Sequence, residues 1–159
     1  MKEAIGQTIS LQVILVFMIF LNAFLAFSVN YTKAFRVKNK VINEIEQNEG
    51  INNTSRTNIQ NYTAKVGYTG KDDGSSWKNG IKVVPVCVGS VGASGDCENP
   101  ISGKKYRVYY SVTTSININV PIIGPIFRNA SGDMNLLQVK GDTSTIYIDG
   151  KNLKDSLEW

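Results

Sequence analysis

The chain has 159 residues, 17 of them basic and 13 acidic, a formal charge of +4 and no histidine. Lacking the commonest general base and the commonest zinc ligand, and with no paired acidic motif at a telling spacing, it is not expected to be an enzyme or to hold a metal or cofactor. The mild positive charge forms no dense basic run interleaved with aromatics, which argues against nucleic acid as a partner.

The first element announces itself by charge. Residues 4–32 contain no Asp, Glu, Lys, Arg or His, and their centre reads ILVFMIFLNAFLAF. A helix of about 20 residues crosses the roughly 30 Å hydrocarbon layer, so this segment is long enough to span a lipid membrane with room to tilt. A cleaved leader fits less well: the start is weakly basic, with Lys2 beside Glu3, and Ala23 and Ala26 stand three apart rather than two. A small domain also has no interior that could surround such a helix on every face. Gln12 near the first end and Asn22 deeper in would each place an amide in lipid. That marks them as candidates for helix–helix packing, against the alternative of simple tolerance of a polar group.

The helical pattern continues past the span. Tyr31, Phe35, Val37, Val41, Ile42 and Ile45 recur mostly at spacings of three and four, an amphipathic stripe able to dock a domain. One helix from about residue 5 to 48 would be roughly 65 Å long, with Gly50 as its stop. The division expected is 1–50 for the membrane and amphipathic helix, and 51–159 for an α+β domain. Within that domain a short helix is predicted after a cap at Thr54 or Ser55, with Ile59, Tyr62 and Val66 on one side and Gly67 at its end. KDDGSSWKNG, residues 71–80, reads as a solvated turn; Asp72 and Asp73 are too few for calcium.

Strands follow. Residues 81–88 are β-branched, and Pro85 points to an edge or a bulge. In 104–120, Val112, Thr114, Ile116, Ile118 and Val120 share one parity and Thr113, Ser115, Asn117 and Asn119 the other, which predicts one buried and one wet sheet face. Residues 134–148 supply a third run, with a split expected at Lys140–Gly141–Asp142. Between the last two runs, PIIGPIF (121–127) is too rich in proline and glycine for a central strand. Leu153, Leu157 and Trp159 can return onto the sheet. Asn52, Asn53, Asn61 and Asn129 match the Asn-x-Ser/Thr pattern and carry little weight in an asparagine-rich chain.

Cys87 and Cys97 are the only cysteines. A disulfide between them requires an oxidising compartment, and hence an extracytoplasmic domain with a cytoplasmic amino terminus; two free thiols in a reducing compartment is the alternative. Lys33, Arg36, Lys38 and Lys40, just past the span, favour the opposite orientation by the positive-inside rule. The cysteine pair is given the greater weight.

A long amino-terminal helix, half in membrane and half packed on a small antiparallel sheet, resembles the architecture of type IV pilin-like proteins. GQTISLQVILVFMIFLNAF (6–24) is similar to the Gly-Gln start and apolar helix of TadE-like proteins of tight-adherence pilus systems. INVPIIGPIF followed by LLQVKGDTSTIYI is similar to their strand, proline-rich link and closing strand. The resemblance implies a pilin-like fold, with Gly6 and Gln7 as a candidate prepilin-type processing site. Its implied partners are other pilin-like subunits and inner-membrane platform proteins, and its implied role is non-catalytic assembly of a pilus or secretion apparatus. The glutamate that usually follows the Gly-Gln pair in that family is missing, since the fifth residue after Gly6 is Leu11; this departure points to a minor or accessory subunit. A membrane-tethered extracellular binding or adhesion module, with tyrosine and tryptophan loops doing the binding, is the alternative.

Overall fold

A single helix, α1, runs from Lys2 to Gln47, as a stretch without glycine or proline from residue 7 to 49 permits. The computed structural model describes residues 2–70, 72, 77–91, 97–115 and 138–159, with side chains from Thr8 onward. The first half of α1 is apolar and exposed, long and apolar enough to cross a bilayer. Burial begins at Ala34 and continues at Val37, Val41 and Ile45, so spacings of three, four and four keep one face on the domain. Tyr31 and Phe35, expected on that stripe, are 46% and 43% exposed. Phe35 is turned about 100° from Ala34 by the helical screw. The small Ala34 is the residue that lets a strand come close, and the Thr114 hydroxyl donates to its carbonyl at 3.1 Å.

The helix ends in a Schellman arrangement. Gly50 N–H donates to the Ile45 carbonyl at 2.8 Å and Glu49 N–H to that of Glu46 at 3.3 Å. The left-handed position is occupied by Glu49, with φ 52°. The second helix, α2 (Asn53–Val66), is capped by Asn52 rather than by Thr54 or Ser55: Ser55 N–H donates to Asn52 Oδ1 at 2.8 Å, and Asn52 N–H to Ser55 Oγ at 2.9 Å. Ser55 thus serves as the reciprocal partner of a capping box. Gly67, at φ 60°, closes α2. Ser55, Ile59 and Thr63 form its buried side, with Tyr62 and Val66 half-buried at the flank.

The strand pairs among the described residues are all antiparallel. β1 (Trp77–Lys78) and β2 (Ile81–Ser90) form a hairpin where a loop was expected. Asn79 and Gly80 both have positive φ, 51° and 79°, the pair of left-handed residues that a two-residue type I′ turn needs. β3 (Lys105–Ser115) is the central strand, with β2 along one side. Its other side is shared end to end by β4 (Gln138–Asp142) and β5 (Ile146–Asp149). Pro85 sits where β2 has no second strand neighbour among the described residues, so its missing N–H breaks no ladder. The split in the third run falls at 143–145, not at 140–142 as expected. Gly141 stays within β4 because α1 lies directly over it; a Cβ there would stand 3.0 Å from Lys38 Cδ and 3.1 Å from Ile42 Cδ1. At the break, Thr143 replaces strand pairing on both sides of Tyr110: its Oγ1 accepts from Tyr110 N–H at 2.9 Å and its N–H donates to Tyr110 O at 3.0 Å. A short helix, α3 (Gly150–Ser156), capped by the Asp149 carboxylate, completes the described chain and buries Leu153. Leu157 and Trp159 pack against the core.

Tyr106, Val108, Tyr110, Val112 and Thr114 of β3 face α1 and are buried, as is Ile81 with Val83 beside them on β2. The core therefore draws on residues both before and after Gly50. Thr113 and Ser115, expected on the wet face, are buried as well. Ser115 donates through N–H and Oγ to the Gly80 carbonyl at 2.8 and 3.2 Å, and the Tyr68 hydroxyl donates to the Ser115 carbonyl. Gly70 and Gly80 meet backbone to backbone there; a Cβ on Gly70 would lie 2.4 Å from Gly80 Cα. Ile116, Ile118 and Val120, the 121–127 link, Asn129 and Asp73 lie outside the described residues.

Candidate functional site

Among the described residues, no group of three His, Cys, Asp or Glu side chains could hold a metal ion. What stands out is the stem and how it joins the domain. Gln12 and Asn22 are both exposed on α1, roughly 15 Å apart along the axis and about 80° apart around it, so the helix does not bring them onto one seam. Asn22 Nδ2 donates to the Met18 carbonyl at 2.8 Å; Asn30 and Thr32 bond back in the same way to Ala26 and Ser28. Such i−4 bonds satisfy one polar donor within its own helix, which leaves the side-chain amide oxygen and the second Nδ2–H of Asn22 for a neighbouring helix. Gly6 and Gln7 lie in the first turns of α1, and their side chains are outside the described set.

The second feature is the staple. Cys87 and Cys97 form a disulfide with a Cα–Cα distance of 6.4 Å. Ile81, Val83, Pro85 and Cys87 alternate along β2 opposite Thr114, Val112, Tyr110 and Val108, which puts Cys87 on the core side. Both cysteines pack against the core. Immediately beyond, a bulge between Cys87 and Gly89 shifts the register, with Gly89 at φ 121°. The strand thus turns at the point where it is tied to the 97 region.

The third is a buried charge that no sequence pattern indicated. Glu44 is buried where α1 meets α2. The Lys40 ammonium stands 2.6 Å from its Oε1, and Asn58 Nδ2 of α2 donates to Oε2 at 2.9 Å. Lys40, then the Asn58 amide, hold the Glu44 carboxyl below the ordinary carboxylate value against the opposing effect of burial. Two residues on, Glu46 Oε1 accepts from Ser144 N–H at 2.7 Å and from Ser144 Oγ at 2.9 Å. The two carboxylates thus tie α1 to α2 and to the β4–β5 break.

At the end of the domain away from the stem, the α1–α2 turn, β5 and α3 enclose an open groove of about 690 Å³. Its lining is polar, including Glu49, Asn53, Lys105, Asn152 and Asp155, with Tyr147 of β5 at its edge, 56% exposed. Arg56, which also lines it, donates through Nη2 to the Glu158 carbonyl at 2.7 Å. No protein-family model, curated protein or solved structure matches this chain.

Proposed function

We propose that this chain is a non-catalytic, single-pass membrane subunit of the pilin-like, TadE-like type, assembling into a pilus or secretion apparatus through its amino-terminal helix. The observation that carries the reading is the continuity of α1: an exposed apolar half passes without a break into a half that is locked to the sheet. A tether needs no such stiffness. A subunit whose membrane helix packs beside others does, because the helix must present its domain at a set height and angle. The domain lies outside the cytoplasm, where the Cys87–Cys97 bond is stable. Gln12 and the amide of Asn22 serve packing in lipid, where such contacts are worth about 1 kcal/mol or less. The test is to replace residues 4–32 with an unrelated membrane helix of equal length. Under this reading the chimera inserts but stops co-purifying with pilin-like and platform proteins; retained co-purification would overturn it. Membrane-impermeant thiol reagents on reduced whole cells should label Cys87 and Cys97, and labelling only after lysis would refute the orientation.

The groove beside Tyr147 favours a second reading, a membrane-tethered binding module. Polar groups lining an open groove of several hundred Å³ beside an exposed tyrosine suit a small ligand. Under that reading the helix replacement leaves function intact.

A further inference from the structure

The uncharged run ends at Thr32, and the next three cations, Lys33, Arg36 and Lys38, fall within about 8 Å of helix axis. They do not share a face. At about 100° per residue, Arg36 stands roughly 60° from Lys33, Lys38 about 160° from Arg36, and Lys33 about 140° from Lys38. The three divide the circumference of α1 at one level. The sheet occupies the sector of Ala34 and Val37 at this level, with Lys38 on its flank over Gly141, so the three cations are spread over the sides of the helix that the domain leaves open to a layer of lipid headgroups.

Their electrostatic surroundings agree. Lys33 and Arg36 are exposed and form no ion pair with any described residue, while Lys40, the next cation up, is held by Glu44 at 2.6 Å. No acidic side chain occurs between Glu3 and Glu44. The Lys38 ammonium sits 4.5 Å above the Phe35 ring, and Phe35 and Tyr31 are the exposed aromatics at this height, as expected of residues at a membrane–water boundary. The contact of Ala34 with Thr114 puts the base of the sheet at the same level, so the domain rests close above this ring.

We propose that Lys33, Arg36 and Lys38 form a collar that binds the phosphate groups of anionic phospholipids around the emerging helix, fixing how deeply the stem sits. The inference rests on α1 crossing the bilayer as read above. The full-length protein is reconstituted into nanodiscs of phosphatidylcholine containing a minority of phosphatidylglycerol, and co-retained lipids are counted by native mass spectrometry. Phosphatidylglycerol should be enriched about fivefold or more over its bulk share, the effect expected of a single juxtamembrane cation. Enrichment should fall toward unity in a Lys33→Gln, Arg36→Gln, Lys38→Gln variant, persist in a Lys33→Arg, Lys38→Arg variant, and weaken in high salt. An inserted protein without enrichment, or a triple variant that keeps it, overturns the collar alone. A protein that never inserts overturns the membrane reading and the collar with it.

Discussion

At the scale of single residues, Thr143 does the work of a missing strand position. Its hydroxyl accepts the Tyr110 N–H at 2.9 Å in the gap between β4 and β5, and Tyr110 is fully buried. A Thr143→Val substitution keeps the shape and leaves that amide unsatisfied. Urea unfolding should show a loss of about 1–3 kcal/mol, with much less loss in Thr143→Ser. Glu44 gives a pH signature. Its carboxyl is lowered in the folded state by Lys40 and Asn58, so its contribution is fully present above the unfolded-state value of about 4.3. That contribution is lost as pH falls through the folded value. Stability followed by denaturant titration should drop as the solution is acidified from about pH 5, and Glu44→Gln should flatten part of that slope. Asp149, lowered by the Lys151 and Gly103 amides, leaves a remainder. The carboxylate itself is plain in the sequence; its partner Asn58, 14 residues away on another helix, is not.

At the scale of elements, ends and breaks decide the outcome. Glu49 holds a left-handed conformation at φ 52°, which costs a residue with a Cβ about 1–2 kcal/mol. Glu49→Gly should therefore raise stability by roughly 0.5–1 kcal/mol after the entropy lost by glycine is counted; no change in the denaturation midpoint would show that the Glu49 side chain compensates locally. The disulfide spans a sequence separation of 10. The chain-entropy argument gives its removal, as Cys87→Ser with Cys97→Ser, a cost of roughly 2–3 kcal/mol, to be read in the same titration against the oxidised parent. Local signals located α1, α2, β2 and β3, the helices and β3 by a repeating pattern and β2 by its β-branched residues. The two-residue hairpin was also written locally, in Asn79-Gly80, but its flanking strand is only Trp77–Lys78, too short to show alternation. The break at 143–145 had no local signal. The Lys-Gly-Asp of 140–142 looks more like a turn, and it stays extended because α1 covers Gly141.

At the scale of the whole molecule, α1 runs without a break from a stretch long and apolar enough to cross a membrane into the part packed on the sheet, so under the assembly reading its rotational phase is a property the protein can use. Inserting one alanine between Thr32 and Lys33 turns the span by about 100° relative to the sheet, and four alanines by a net of about 40°. The domain's melting midpoint should not change in either. Under the assembly reading, co-purification should be lost with one alanine and largely recovered with four; equal co-purification in both would show that the helix acts as a tether.

What sequence alone determined is whatever a local pattern can encode: a charge-free run long enough for a bilayer, an amphipathic continuation, an α+β composition and a single pair of cysteines. Tertiary structure decided which way each element turns. Ala34 rather than Phe35 meets the sheet, because the facing strand needs a small neighbour at Thr114. Thr113 and Ser115 are buried on the face that alternation assigned to water. Periodicity states that a helix or strand has two unlike sides, but the azimuth of the buried one is set by whichever distant segment packs against it, and that distance in sequence leaves no local trace.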